Sequence, residues 1–315
     1  MSEFSERIQP EPGVDRRRFL KSAAVAGGGT LWALSGGRFT ATALAAAQDT
    51  SVPTADFSFV QISDTHVGAH TPANPNVIGS FEEAIRRINA LPQPPAFVIH
   101  TGDHVHLSKP AEFDTAKQLL GTIKADHIFN VPGEHDVFLD QGKRYLQLFG
   151  QGTKGRGWTS FDINGVHFVA LVNDAGAVGK GLGVLGADQL DFIKRDLAPL
   201  SPDTPLVLFS HVPLLPIYPP WGWATADSPQ LLALVKRFHA VTALNAHIHQ
   251  IITKRAGNVV MHTTRATAYP DHAPGQIAPT PLVLPAAQLP SHIGIRLGNF
   301  AQGMQPLTLT DQSFA

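Results

Sequence analysis

At 315 residues, with 43% hydrophobic and 16% charged side chains, the chain is long enough to bury a substantial core and is neither a disordered tail nor a many-span membrane protein. Its formal net charge of −1 offers no general electrostatic grip on a nucleic-acid polymer or an anionic bilayer. With 15 His and no Cys, disulfides and thiolate metal sites are excluded, so any metal must be held by imidazole and carboxylate.

Asp15-Arg16-Arg17-Arg18-Phe19-Leu20-Lys21 resembles a twin-arginine export signal: two adjacent Arg, one free position, then Phe-Leu-Lys. Asp15 departs from the Ser or Thr that such signals prefer. A mildly apolar stretch from Ser22 to Leu34, loosened by Gly27, Gly28 and Gly29, leads to Ala45-Ala46-Ala47 before Gln48, which suits a signal peptidase. A membrane anchor or a basic arm is the competing reading, but the stretch is short and glycine-rich against the roughly 20 apolar residues of a span. The expectation is a signal over residues 1–47 and a mature domain over 48–315 with no stable membrane span. Cleavage removes six of the 24 basic residues and four of the 25 acidic ones, leaving 18 and 21, a formal −3. The resemblance implies an encounter with the twin-arginine machinery and a periplasmic or secreted location. That machinery moves folded proteins, which suits an enzyme loaded with metal before export.

From Asp56 onward, apolar runs alternate with amphipathic stretches. Phe57–Ile62 reads as a strand, 76–91 as a helix with Phe81, Ile85 and Ile88 on one face, 96–100 as a strand, Pro110–Leu120 as a helix and 127–131 as a strand. This order predicts parallel neighbours joined by right-handed crossovers. Residues 158–163 and 166–172 flank Asn164-Gly165, a hairpin signal. A helix follows at Ala187–Leu197, then strands at Leu206–Phe209 and Val241–Asn245 with a helix over 229–239 between them. A second hairpin pairs 250–255 with 259–264, and the Pro-rich stretch 270–290 reads as a long loop. The pattern predicts an α/β fold of two packed mixed β-sheets flanked by helices.

Five of these strands end in residues suited to metal binding. They are followed by Ser63-Asp64-Thr65-His66, Thr101-Gly102-Asp103-His104, Pro132-Gly133-Glu134-His135-Asp136, Ser210-His211-Val212-Pro213 and Ala246-His247-Ile248-His249. Carboxyl ends of strands in an open α/β sheet face one crevice, where ligands bind. Any one cluster has an ordinary explanation, as a turn or as a hydrogen-bonded boundary histidine. Five in this order, each closing an apolar strand, point to one metal site, and Gly102 and Gly133 supply the tight turns.

These residues resemble the calcineurin-like metallophosphoesterases, whose ordered signature is Asp-x-His, Gly-Asp, Gly-Asn-His-Asp/Glu, a lone His, then Gly-His-x-His. The resemblance spans residues 57–264. It implies a β-sandwich with two divalent or mixed-valence metal ions (Mn, Fe, Zn or Co) about 3.5–4 Å apart. By position it implies that Asp64, His66 and His249 hold the first ion, that His211, His247 and Glu134 hold the second, and that Asp103 bridges them. His135 would meet the scissile phosphate and protonate the leaving group.

The departures are Glu134 where the family has Asn, His106 where many members have an acid that pairs with the catalytic His, and Ala246 for Gly. Glu134 either binds the second ion, with an added negative charge, or turns away from it; Asp136 or another group is the substitute partner for His135. The tyrosine ligand of purple acid phosphatases is missing near Asp103, and Leu107-Ser108 departs from metallo-β-lactamase-type hydrolases. Tyr218, Trp221 and Trp223 form either a rim over the substrate or simple loop packing. Arg265 either meets a phosphate or lies on the surface. The functions in view are hydrolysis of a small phosphomonoester or phosphodiester, cleavage of a nucleotide-sugar or lipid-linked pyrophosphate, or metal binding without turnover.

Overall fold

The computed structural model describes residues 56–173, 182–276, 280–301 and 307–315, with the backbone of strands β1 (Thr30–Ser35) and β2 (Arg38–Ala43). The twin-arginine motif at 15–21 and the cleavage site at 45–48 lie outside the described residues.

Two mixed sheets face each other. The five-stranded one runs β15 (Thr308–Ser313), β14 (Gly294–Phe300), β3 (Phe57–Ile62), β4 (Val98–His100), β5 (Ile128–Asn130). The eight-stranded one runs β12 (Thr253–Ala256), β13 (Val259–Thr263), β11 (Val241–Asn245), β9 (Leu206–Phe209), β7 (Val166–Ala170), β6 (Thr159–Ile163), β1, β2. A two-stranded pair, β8 (Leu182–Gly183) and β10 (Ala224–Thr225), stands apart. Strands β3, β4 and β5 are parallel, as are β7, β9, β11 and β13, in keeping with the crossovers expected.

The period of two along each strand sorts its side chains into layers. On β3, Phe57 and Phe59 enter the core between the sheets, whereas Val60 and Ile62 pack under helices α1 (Val77–Asn89) and α2 (Pro110–Leu120). On β9, Val207 and Phe209 face the first sheet, and Leu206 and Leu208 pack under helices α5 (Ala187–Leu197) and α6 (Ser228–Val235). A seam of phenylalanines fills the middle: Phe59 stacks on Phe97 at 5.1 Å, and Phe168 meets Phe97 edge-on at 5.2 Å. Helix α1 begins at Asn76, whose side chain accepts from Gly79 N at 3.0 Å, and buries Phe81, Ile85 and Ile88 on one stripe.

Polar links also join the sheets. Arg296 on β14 is 1% exposed, donates twice to Asp311 at 2.9 and 3.0 Å, and reaches the Thr263 carbonyl of β13 at 2.8 Å. Gln61 on β3 donates to Thr101 Oγ1 at 3.1 Å and to the Asn245 carbonyl at the end of β11 at 3.3 Å.

Several expected elements are shorter than their apolar runs. Strands β4 and β5 span three residues each, and α6 ends at Val235 rather than at 239. Short helices α3 (Glu134–Val137) and α4 (Lys143–Phe149), and the C-terminal pair β14 and β15, are further elements beyond those expected. No helix among the described residues is long and apolar enough to cross a membrane.

Candidate metal centre

The five strand ends converge, and the backbone strains to make them do so. Among the described residues, eight non-glycine positions have positive φ, and five of these are Asp64, His66, Asp103, His247 and His249, at 42–71°. Such angles are disfavoured for residues with a Cβ and persist where surrounding structure holds them. Here the holding is a ladder of backbone bonds. Asp64 N donates to the Gly102 carbonyl and His66 N to the Asp103 carbonyl, each at 3.0 Å, while Ala268 N donates to the Asp64 carbonyl at 3.1 Å. Two glycines permit the close approach. A Cβ on Gly102 would lie 2.5 Å from His211 Nδ1, and one on Gly133 would lie 2.1 Å from Asp103 Oδ1.

Five overlapping donor triads result among the described residues, and two of them match the expected ligand sets. Asp64, His66 and His249 form one, with His66 Nε2 and His249 Nε2 3.3 Å apart and His249 Nε2 3.4 Å from Asp64 Oδ1. Glu134, His211 and His247 form the other: Glu134 Oε2 is 3.0 Å from His211 Nε2, and Glu134 Oε1 is 2.9 Å from His247 Nδ1. Asp103 Oδ2 lies between the triads, 3.7 Å from His66 Nε2 and 3.3 Å from His211 Nε2. Glu134 therefore faces its neighbours rather than turning away.

On two of these histidines the other ring nitrogen is already committed. His211 Nδ1 donates to the Thr101 carbonyl and His249 Nδ1 to the Tyr269 carbonyl, each at 2.7 Å. With its Nδ1 proton so engaged, a neutral imidazole presents an Nε2 lone pair. Those lone pairs point at each other and at carboxylate oxygens, and both oxygens of Asp64 and Oε2 of Glu134 are buried without a hydrogen bond. Buried lone pairs facing one another are costly unless a cation lies between them. The donor set of nitrogens and carboxylate oxygens fits two such cations.

Charge shifts carry the same message. Burial favours neutral Glu134, but the His247 and His211 rings outweigh it and hold the carboxyl well below its usual range. Burial opposes charge on His211 too, yet Asp103 and Glu134 lift it well above the ordinary imidazole value. His66, buried beside His135 and His249, is pushed well down.

His135 sits beside both triads. Its backbone N donates to Asp103 Oδ1 at 3.0 Å, and its Nδ1 donates to the His106 carbonyl at 2.5 Å, which leaves Nε2 for chemistry. A main-chain oxygen thus orients His135 where an acidic side chain was expected. Asp136 does not take that place: it is buried and accepts from His104 Nδ1 at 2.9 Å, Gly133 N at 3.0 Å and Val105 N at 3.1 Å, tying the second and third clusters together. Arg265 donates to the Ser291 carbonyl at 2.6 Å, a structural tie.

Several neighbours of the centre carry no signal in the sequence. Tyr269 stacks on the His66 ring at 5.1 Å; burial and the Asp271 carboxylate push its hydroxyl pKa upward. Asn173, at the end of β7, accepts from Val212 N at 3.1 Å and donates to the Val212 carbonyl at 2.7 Å, shaping the His211 loop. Both residues lie in irregular segments, where no periodic pattern marks a side chain as inward.

Comparison with known proteins agrees with this geometry. The family model described as calcineurin-like phosphoesterase matches residues 57–251. A glycerophosphodiester phosphodiesterase, GpdQ, from Enterobacter lignolyticus is 25% identical over 224 residues, covering 66% of this chain and 76% of that protein. A probable cyclic nucleotide phosphodiesterase from Psychrobacter arcticus is 24% identical over 234 residues, covering 70% and 83%. Among solved structures, a dimetal phosphatase from Danio rerio superposes with a TM-score of 0.58 at 12% identity, covering 84% of this chain and 97% of that one. A purple acid phosphatase from yellow lupin gives 0.60 at 14% identity, covering 82% and 52%. At such identities the structural likeness speaks for the fold. The chain belongs to the calcineurin-like phosphoesterase family and is a metal-dependent phosphoester hydrolase.

Proposed function

We propose that the chain hydrolyses a small phosphodiester at a binuclear centre held by Asp64, His66 and His249 on one side, Glu134, His211 and His247 on the other, and Asp103 between. The observation that carries this is the position of Asp103 Oδ2, within 3.7 Å of one triad and 3.3 Å of the other. When bound, a pair of divalent cations supplies Lewis acidity toward the phosphoryl oxygens and lowers the pKa of water. The chain's own residues do the rest. The triads fix where the phosphate lies, and the strained backbone keeps their donors from relaxing. His135, its Nδ1 fixed on the His106 carbonyl, offers Nε2 to carry a proton to the departing oxygen.

Two considerations favour a diester over a monoester. The relatives are named phosphodiesterases. Glu134 also adds an anion where the family resemblance implies a neutral amide, and that charge disfavours a dianionic monoester more than a monoanionic diester. With Mn²⁺ supplied, bis-p-nitrophenyl phosphate should be hydrolysed faster than p-nitrophenyl phosphate, and Asp103→Asn should abolish both activities. Faster turnover of the monoester would reverse the preference. Turnover of neither, with two metals bound, would leave a binding protein.

We propose separately, from the Arg16-Arg17-x-Phe-Leu-Lys pattern, that the mature domain, 48–315, acts outside the cytoplasm. The cleavage this implies removes the edge strands β1 and β2 and leaves β6 at that edge of the sheet. Replacing Arg16 and Arg17 together by Lys should retain the protein in the cytoplasm on cell fractionation; unchanged export would refute the assignment.

A further inference from the structure

A run of aromatic rings starts on the metal centre itself. Trp223 meets the His247 ring at 4.5 Å between centroids, Trp221 meets Trp223 at 5.1 Å, and Tyr218 meets Trp221 at 5.6 Å, all edge to face. The segment that carries them leaves β9 directly after His211. At its start Leu214 and Leu215 are buried in the core, and on its return Ala224 and Thr225 are buried again. The Thr225 hydroxyl donates to the Pro213 carbonyl at 3.1 Å and accepts from Asn173 Nδ2 at 2.8 Å, which pins the two feet of the loop together.

Between those feet, Pro216, Pro219 and Pro220 restrict the backbone. Gly222, at φ 83° and ψ −76°, makes the reversal that returns Trp223 to His247, an angle that favours glycine. Unlike the leucines at the foot, Tyr218, Trp221 and Trp223 stay half-exposed. Aromatic surface is thus held ready beside the position of the phosphate, with no charged side chain from 212 to 226.

We propose that Trp221 and Trp223 form a subsite for a flat aromatic ester group, such as a nucleobase carried on its sugar, in a phosphodiester whose phosphorus sits at the binuclear centre. The proposal rests on the phosphodiesterase reading above and names its substrate class. Aromatic rings bind flat heteroaromatic groups by stacking, without the need for matched charge. Trp223 lies against His247, a candidate metal ligand, so a group stacked on it adjoins the phosphate position, as the base of a nucleoside ester does across its sugar. A quaternary ammonium would instead need several ring faces converging on one point.

Binding to the metal-loaded protein tests this through tryptophan emission. Thymidine 5′-phosphate should quench the emission and bind about tenfold more tightly than 2-deoxyribose 5-phosphate, and Trp221→Ala or Trp223→Ala should erase that difference. Trp221 does not touch a candidate metal-binding residue in this chain of contacts, so its variant serves if the other disturbs the centre. In turnover, the KM ratio of thymidine 5′-(p-nitrophenyl phosphate) to ethyl p-nitrophenyl phosphate should rise about tenfold in either variant, the leaving group being the same. Equal binding of the two sugar phosphates, or tighter binding of phosphocholine, would overturn the subsite. Lack of turnover on both esters would count against the phosphodiesterase reading, and the binding comparison would still decide the subsite.

Discussion

Glu134 and His247 meet at 2.9 Å, carboxylate oxygen to Nδ1, where a neutral amide is the usual neighbour in the family the chain resembles. The contact sets the charge of the second half of the centre. Glu134→Gln removes one negative charge at nearly constant shape. It should weaken binding of the second metal by about tenfold, the order expected when a charged ligand becomes neutral. The same variant should raise the rate on p-nitrophenyl phosphate relative to bis-p-nitrophenyl phosphate. Metal titration by calorimetry and the ratio of the two rates check both effects.

His106 touches two residues of the centre with its ring: Nδ1 is 3.5 Å from His66 Nδ1, and the ring stacks on His135 at 5.0 Å. Its carbonyl survives substitution, but its ring does not. His106→Ala should therefore leave His135 bonded through Nδ1 while loosening His66, lowering kcat or metal affinity by about 10- to 100-fold. Steady-state kinetics over a metal titration separates the two. A variant equal to the parent in both would remove His106 from the centre's support.

Far from the centre, His167 lies between Asp162 Oδ1 at 2.8 Å and Asp196 Oδ2 at 3.0 Å. Burial opposes its charge, but the two carboxylates outweigh burial and raise its pKa to about 9. A folded-state pKa above the unfolded value means the contribution is complete below about pH 6.5 and is lost as pH rises through about 9. The parent should lose up to about 3 kcal/mol more stability than His167→Gln between those limits. Urea unfolding of both proteins at pH 6, 7.5 and 9.5 checks the difference; parallel curves would show that the pair contributes nothing.

Arg296 is the largest fully buried side chain among the described residues, and its fork is filled by Asp311, with the Thr263 carbonyl as a further acceptor. Removing one partner of a buried ion pair strands the other, at a cost of about 3–5 kcal/mol. Asp311 is about one-fifth exposed, so Arg296→Ala should fall at the lower end of that range. Arg296→Lys should recover only part, because an ammonium cannot occupy both oxygens in the same planar fork. Denaturant unfolding measures both variants.

The chain order of apolar runs was enough to place β3, β4, β5, β7, β9 and β11 and to show that their polar tips share one rim. That inference is topological: parallel strands must send their carboxyl ends the same way. The identities of Asp64, His66, Asp103, Glu134, His135, His211, His247 and His249 followed from residue type and position, and the structure brings all eight together. What only tertiary structure decided is orientation. Positive φ at five of these residues, the turn of Glu134 toward His211 and His247, and the His106 carbonyl beneath His135 depend on backbone bonds between segments far apart in sequence. Tyr269 and Asn173 were hidden for the same reason. Local periodicity reports which face of a strand or helix is buried, whereas a residue in irregular backbone has no face until the rest of the chain has folded around it.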